Sequence, residues 1–329
     1  MIDLNFSFAS ALVTGGAGFI GSHLVDLLME RGVNVTVLDN LSAGKLENIS
    51  QWLGNSRFKF IVGDLLNPSD IKRAMEGCEI VFHLAANPDV RRGFVDTKID
   101  YEQNILATYN LLEVMRESER CKSIVFTSSS TVYGEAKKMP TPEDYGPLQP
   151  ISLYGASKLA CEALISGYSH LFGFKSVICR LANIIGSRGR HGVIYDFINK
   201  LRANPRTLEV LGDGTQRKSY LHVEDCVKAL LVAYEKSGER VEIYNIGSED
   251  AVNVATIARI VIEEMKLKNV EIKYTGGVDG GRGWRGDVKE MLLDVTKIKR
   301  LGWKAELNSA GAVRRAAREL ISEILNRNQ

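Results

Sequence analysis

Little in this chain commits it to a metal, a secretory route or a membrane. Its 329 residues include 5 cysteines, Cys78, Cys121, Cys161, Cys179 and Cys226, none close enough to another for a metal knuckle or a C-x-x-C redox pair. An odd number scattered over predicted helices and strands reads as buried free thiols in a reducing cytoplasm. The 5 histidines, His23, His83, His170, His191 and His222, contain no pair one helical turn apart, so no metal site is expected. No uncharged apolar run approaches the ~18 residues of a membrane span. Excess charge of one sign is lacking too. The 42 Lys and Arg against 40 Asp and Glu leave a formal net charge of +2, which argues against nucleic acid or an anionic membrane as the main partner. Internal repeats and low-complexity tracts are absent. The first apolar strand begins almost at once and runs into a glycine turn, so no cleaved leader is expected. The composition, 45% hydrophobic and 25% charged, is that of a soluble globular protein. Its length suits one large α/β domain with an appended lobe, or two domains.

What is present begins with Ala11-Leu-Val-Thr-Gly-Gly-Ala-Gly-Phe-Ile-Gly21. An apolar strand enters a turn with glycines at 15, 18 and 21, and a helix starts directly after. Phosphate cannot approach a backbone that carries side chains, so Gly15 and Gly18 leave room for it, while Gly21 lets the helix lie close to the strand. The new helix points free N–H groups and its positive dipole end at a pyrophosphate. The next strand, Val33–Asp39, ends in a carboxylate at the distance expected for a residue that accepts both ribose hydroxyls of an adenosine. Asp39 would repel a 2′-phosphate, and no basic residue follows among Asn40, Leu41 and Ser42, so the expected cofactor is NAD rather than NADP.

Short β-type runs at Ala11–Thr14, Asn34–Asp39, Phe58–Val62, Ile80–Leu84, Ser123–Thr127 and Ser176–Arg180 alternate with helical patterns near Gly21–Arg31, Ser69–Glu76, Ile99–Arg116 and Leu153–Phe172. This predicts a Rossmann-type doubly wound parallel sheet, with ligands beyond the carboxyl ends of the strands. Residues 1–186 form the expected NAD-binding domain. A further strand near Ile243–Gly247 returns to it, and 187–329 form mainly a smaller C-terminal substrate-binding α/β lobe. That lobe includes helices near Val193–Ala203 and Ala310–Asn326, and a glycine-rich loop over Gly276–Gly286.

Tyr154-Gly-Ala-Ser-Lys158 sets a phenol and an ammonium on one helical face. A cation beside the phenol favours the phenolate. Moving it from ~10 to near neutrality takes roughly 4 kcal/mol, to be supplied by the ammonium and a positively charged nicotinamide in a water-poor crevice. Thr127-Ser-Ser-Ser-Thr131 places hydroxyls at a neighbouring strand end, where one can hydrogen-bond a reacting alcohol.

In order along the chain, T-G-G-A-G-F-I-G, D-N, G-D-L, H-L-A-A, S-S-S-T-V-Y-G, Y-G-A-S-K and R-L-A-N-I-I-G resemble the motifs of the extended short-chain dehydrogenase/reductases, most of all the UDP-glucose 4-epimerase branch. The resemblance implies Tyr154 as catalytic base, Lys158 as its partner and Ser129 as the hydroxyl. It implies NAD contacts at Gly15, Gly18, Phe19, Ile20, Asp39, Asn40, Ser42, Gly44, Asp64, Leu65, Leu84, Ala85, Ala86, Asn104 and Thr127, besides Tyr154 and Lys158. For a UDP-sugar it implies Ser129 and Asn183, Val193 and Ile194 covering the nucleotide, and Asp287 reaching the ribose. Aligned on Tyr220-Leu-His-Val223, Lys218 stands where the family's R-D-Y-x-H-V segment has its diphosphate-gripping arginine, with Arg217 just before it, and Ser219 replaces the aspartate. Lysine is a point charge where arginine is a planar fork, which changes how phosphates are held. Arg282-Gly-Trp-Arg-Gly-Asp287 is longer than the family's R-x-G-D, so either Arg282 or Arg285 meets the diphosphate.

The implied reaction is epimerisation at C4 of a UDP-hexose through a transient 4-keto sugar, with NAD regenerated and retained, in a cytoplasmic homodimer paired through the helices near Ile99–Arg116 and Leu153–Phe172. Related 4,6-dehydratases and decarboxylases carry a carboxylate in the strand-end motif, where this chain has Ser129, Ser130 and Thr131. A reductase that releases its cofactor, a 4-epimerase of N-acetylated or uronic sugars, and a non-catalytic NAD-binding protein are the remaining alternatives.

Overall fold

The apolar runs pair side by side. In the computed structural model, which describes residues 6–326, they are β1 (Ser10–Thr14), β2 (Asn34–Asp39), β3 (Phe58–Val62), β4 (Ile80–His83), β5 (Ser123–Ser129) and β6 (Lys175–Leu181). Three short strands follow, β7 (Asn183–Ile185), β8 (Thr207–Val210) and β9 (Arg217–Lys218), then β10 (Tyr220–His222) and β11 (Val241–Ile246). β11 returns to complete a seven-stranded parallel sheet in the order β11-β6-β5-β4-β1-β2-β3. The central strands are buried throughout, as β1, β4 and β6 show, because helices cover both faces. This is the doubly wound α/β fold that the alternation predicts.

The helices on this sheet are α1 (Phe19–Glu30), α2 (Pro68–Met75), the short α3 (Arg92–Val95) and α4 (Lys98–Asp100), α5 (Ala107–Glu117) and α6 (Leu153–Phe172). The pattern near Ile99–Arg116 is not one regular helix. Between α4 and α5 the chain widens into a π-helical turn over Tyr101–Leu106, and Asn104 is buried within it. Such a turn re-aims side chains, and Asn104 uses it to reach α6. β5 also runs further than expected, to Ser129, because its register with β6 continues through Ser129 and Leu181.

After Gly186 the chain builds a second apolar cluster from α7 (Val193–Ala203), then crosses back through α8 (Val223–Lys236), which lies against α1, β6 and β11. α9 (Val254–Glu264), α10 (Thr296–Arg300) and α11 (Ser309–Asn326) complete the helices. Ile194, Phe197, Leu208, Ile257, Val313 and Ala317 are buried together between α7, α9, α11 and β8. β12 (Val252–Asn253) runs antiparallel to β9, and β13 (Glu271–Tyr274) lies beside β8. β14 (Glu290–Met291) pairs with β9 on its other side. No helix among the described residues is long and apolar enough to cross a membrane. Strand order reverses between β1 and β4, so their carboxyl ends open the crevice where such sheets bind ligands.

Candidate active site

The glycine turn is shaped by crowding. Gly15 has φ +70°, and a Cβ there would lie 2.8 Å from the Ala85 backbone nitrogen. A Cβ on Gly21 would lie 2.1 Å from the Gly15 carbonyl oxygen. The expected roles therefore separate. Gly15 and Gly21 let β1, β4 and α1 approach one another, and Gly18 opens the helix start, since a Cβ there would meet only the Gly15 oxygen at 3.0 Å. α1 has no side-chain cap and no acidic residue in its first turn, so its leading N–H groups are available to an anion.

Asp39, buried at the end of β2, accepts from the backbone nitrogens of Ala17 (3.0 Å) and Leu41 (2.8 Å), tying the glycine turn to the strand. Burial pushes its carboxyl pKa up, and the two N–H bonds partly offset this. Gly44 has to be small, because a Cβ would lie 2.7 Å from Asp39 Oδ1. Asn40 donates to Asp64 (2.9 Å), and Ser42 is exposed beyond them. Phe19, Ile20, Leu84, Ala85 and Ala86 are half-buried around the turn and the end of β4. The Leu65 side chain is buried in the apolar layer with Ile61, Ile71 and Leu111, so only its backbone faces the end of β3. This crowded glycine turn, with an uncapped helix start and a buried carboxylate at the adjacent strand end, fits a dinucleotide.

α6 starts at Ser152, whose Oγ accepts from Gly155 N at 3.1 Å. Its first turn leans on the end of the catalytic strand, since a Cβ on Gly155 would lie 2.8 Å from the Thr131 oxygen. Lys158 is buried and donates from Nζ to the Thr127 carbonyl (2.8 Å), 5.8 Å from the Tyr154 ring centroid. Ser129 Oγ accepts from Thr131 N (3.2 Å) and from Thr131 Oγ1 (2.9 Å), which leaves its own proton to give. Tyr154, Lys158, Thr127 and Ser129 thus meet where β5 and α6 converge.

Burial pushes the Tyr154 phenol up, with the Asp100 and Cys161 charges adding to the effect. Burial also pulls Lys158 down to about 8. In the protein alone desolvation outweighs the single ammonium, so Tyr154 is held as a phenol.

Asn104 has a role beyond the expected one, and Asp100, His83, Arg180 and Glu162 at this site were not foreseen. Asn104 Oδ1 accepts from Asn87 N (2.9 Å), and its Nδ2 donates to Ser157 Oγ (2.8 Å), which bonds the Tyr154 carbonyl (2.8 Å). Asn104 therefore anchors the helix turn that carries Tyr154, in addition to its expected place beside the cofactor. Asp100, buried one turn earlier, accepts from Asn87 Nδ2 (2.9 Å). Its spacing from Asn104 was the available signal. His83 is fixed between Thr14 Oγ1 (2.8 Å) and Thr108 Oγ1 (3.0 Å), and burial lowers it to about 3. Behind Ser129, Arg180 and Glu162 form a buried ion pair at 2.7 Å, and Ser128 donates to Glu162 at 2.5 Å.

Across the crevice, Asn183 on β7 donates to the Ser219 carbonyl (3.3 Å). Val193 is half-buried at the start of α7, but Ile194 is 2% exposed within the second lobe's apolar core, so its side chain is not free to cover a nucleotide. Lys218 Nζ lies 2.5 Å from Oδ1 of buried Asp287. Arg282 bonds the Asp287 carbonyl (3.1 Å) and pairs with Glu135, just past the catalytic strand. Arg285 is exposed and stands outside this cluster. The expected diphosphate grips are thus neutralised by carboxylates of the site itself.

The family model for the NAD dependent epimerase/dehydratase family matches residues 11–247. A putative UDP-glucose 4-epimerase of Methanocaldococcus jannaschii is 36% identical over 309 residues, 92% of this chain and 96% of that protein. A crystal structure of a UDP-galactose 4-epimerase superposes with a TM-score of 0.84 at 44% identity, covering 96% of this chain and 99% of the other. The UDP-glucose 4-epimerase of Thermotoga maritima, solved with UDP-glucose, gives 0.85 at 33% identity, again over 96% and 99%. A fold, a glycine cradle and a Tyr-Lys-Ser cluster that the sequence motifs foretold, with matches over nearly the whole chain, place this protein in the NAD dependent epimerase/dehydratase family.

Proposed function

We propose that the protein epimerises C4 of a UDP-hexose, interconverting UDP-glucose and UDP-galactose, and keeps its NAD through turnover. The observation that carries this reading is the convergence of Tyr154, Lys158 and Ser129 beside the glycine cradle, with no carboxylate at Ser129, Ser130 or Thr131 to drive dehydration.

Gly15, Gly18 and the start of α1 would hold the NAD pyrophosphate, Asp39 a ribose, and Lys158 the nicotinamide half. When bound, NAD supplies a reversible two-electron acceptor and a positive ring charge. The chain's own work is proton handling and orientation. With the positive ring charge added to the Lys158 ammonium, Tyr154 would lose its proton to solvent, take that of the sugar 4-hydroxyl at its phenolate oxygen and return it when the hydroxyl re-forms, while Ser129 Oγ donates to the same sugar oxygen. Asn183 orients the sugar diphosphate, and Lys218 and Arg282 clamp it by trading Asp287 and Glu135 for phosphate. With the diphosphate clamped, the hexose is free to present either face to Tyr154. Residues to 186 serve as the cofactor unit and later residues mainly as the substrate unit. Exposed Tyr101 and Tyr109, and Leu153, Leu171 and Phe172 on α6, support a homodimer through these helices, to be checked by sedimentation at micromolar concentration. All five thiols are free and buried, which suits a reducing cytoplasm.

The test is a panel of UDP-hexoses, N-acetylated and uronic forms included, with products resolved by NMR in deuterated water. A C4 epimer without deuterium uptake is expected. Loss of water with deuterium at C5 or C6 overturns the reading in favour of a dehydratase.

A further inference from the structure

The chain holds 3 tryptophans. Trp52 donates its indole N–H to Asp26 (2.7 Å), and Trp303 donates to the Asp225 carbonyl (3.1 Å). The Trp284 Nε1 is also buried, yet it has no partner among the described residues. A buried donor left unpaired carries the full cost of its desolvation, so the odd one of three asks for an acceptor from outside the chain.

Its surroundings indicate which acceptor. Lys218 Nζ lies 5.4 Å from the Trp284 ring centroid, and the Arg91 guanidinium, from the loop after β4, lies 5.9 Å from it. The indole therefore bridges the cofactor side of the crevice and the lobe across from it. The loop is tied into the site on both sides of Trp284, by Arg282 to Glu135 and by Asp287 to Lys218. At Gly286 it passes so close to the segment before Tyr154 that a Cβ would lie 3.0 Å from the Ile151 oxygen. Cations on a ring face withdraw electron density and leave the N–H a better donor towards an anion. Lys218 is a point charge already donating to Asp287, so it offers no directed fork to a second anion.

We infer that the Trp284 indole N–H is a donor to the diphosphate of the nucleotide sugar, held in place by Lys218 and Arg91. This rests on the proposed UDP-sugar reading but needs only the diphosphate, so the two can fail separately.

The experiment is a ¹⁵N–¹H correlation spectrum of the indole region, taken on the NAD-bound protein. Trp284 is assigned by its loss in Trp284→Phe and, independently, by elimination, with Trp52→Phe and Trp303→Phe each removing one of the other two signals. Addition of UDP is expected to move the Trp284 signal downfield while Trp52 and Trp303 stay in place, and uridine is expected to leave all three unmoved. Trp284→Phe is expected to weaken UDP binding about tenfold and uridine binding hardly at all. The inference is overturned if UDP binds with the Trp284 signal stationary, or if Trp284→Phe binds UDP as the parent does. The wild-type spectrum decides the matter even if the variant folds poorly. A Trp284 shift with UDP in a protein that epimerises no UDP-hexose would sink the proposed reaction and leave this donor standing. Failure of UDP to bind at all would overturn both.

Discussion

Two glycine-rich segments border the crevice, and they differ in how their charges are engaged. In the turn at Gly15–Gly21, added methyls would collide with neighbouring backbone, and the adjoining Asp39 carboxylate is engaged by two backbone nitrogens. In the loop at Gly276–Gly286 the glycines are mixed: Gly276 has φ +76° with open space around it, whereas a Cβ on Gly277 would lie 2.3 Å from the Arg282 carbonyl oxygen and one on Gly281 2.0 Å from Asp213 Oδ2. The charges there neutralise one another, Lys218 with Asp287 and Arg282 with Glu135. The first segment is formed before any ligand arrives. The second has to exchange partners to take one. Under the proposed function, the rigid side would hold the cofactor and the other would admit the substrate.

That contrast can be broken most severely at the catalytic group between the two. Tyr154→Phe is expected to lower turnover about 10³-fold while NAD stays bound, seen as retained cofactor absorbance beside a collapsed rate. On the rigid side, Gly21→Ala drives a methyl into the Gly15 carbonyl. Destabilisation of about 3 kcal/mol with loss of bound NAD is expected in denaturant titration, and full retention of both would contradict the close-packed account. On the exchanging side, Glu135→Gln releases Arg282 from its competitor. A fall of about threefold in KM for a UDP-hexose with kcat unchanged is expected, and an unchanged KM would mean that Arg282 does not trade partners.

The smallest effect concerns Lys158, which burial holds at about 8 against an ordinary 10.5. Between those values the unfolded chain keeps a proton that the folded chain has lost. This group's contribution to stability therefore rises with pH through that window, and the cost of burying the ammonium is fully felt below it. Denaturation of cofactor-free protein at pH 7.5 and 9.5 is expected to show a smaller rise, or a larger fall, for Lys158→Met than for wild type.

Much of this was legible beforehand because it rests on local pattern. The alternation of apolar strands and helices predicted the parallel sheet, and α6 and α7 appear with the boundaries read from the chain. The glycine turn and the Y-x-x-x-K spacing each lie within a few residues of one another. Where expectation failed, the cause lay in distant neighbours. The side chains of Leu65 and Ile194 lie in apolar layers built from remote helices, which leaves their backbone groups for any ligand contact. The π-helical turn that aims Asn104 at Ser157 carries no mark in an otherwise helical pattern.

Local spacing and side-chain chemistry, readable from the amino-acid order alone, determined the family, the fold class, the preference for NAD over NADP and the identity of the Tyr-Lys-Ser cluster. Only the tertiary structure decided how far burial opposes ionisation of Tyr154, because desolvation depends on everything packed around it. It likewise decided that Arg282 rather than Arg285 joins the anion cluster, and that one indole of three keeps a free donor. Those outcomes turn on which groups from far-apart segments come within hydrogen-bonding distance, and spacing along the chain does not encode that.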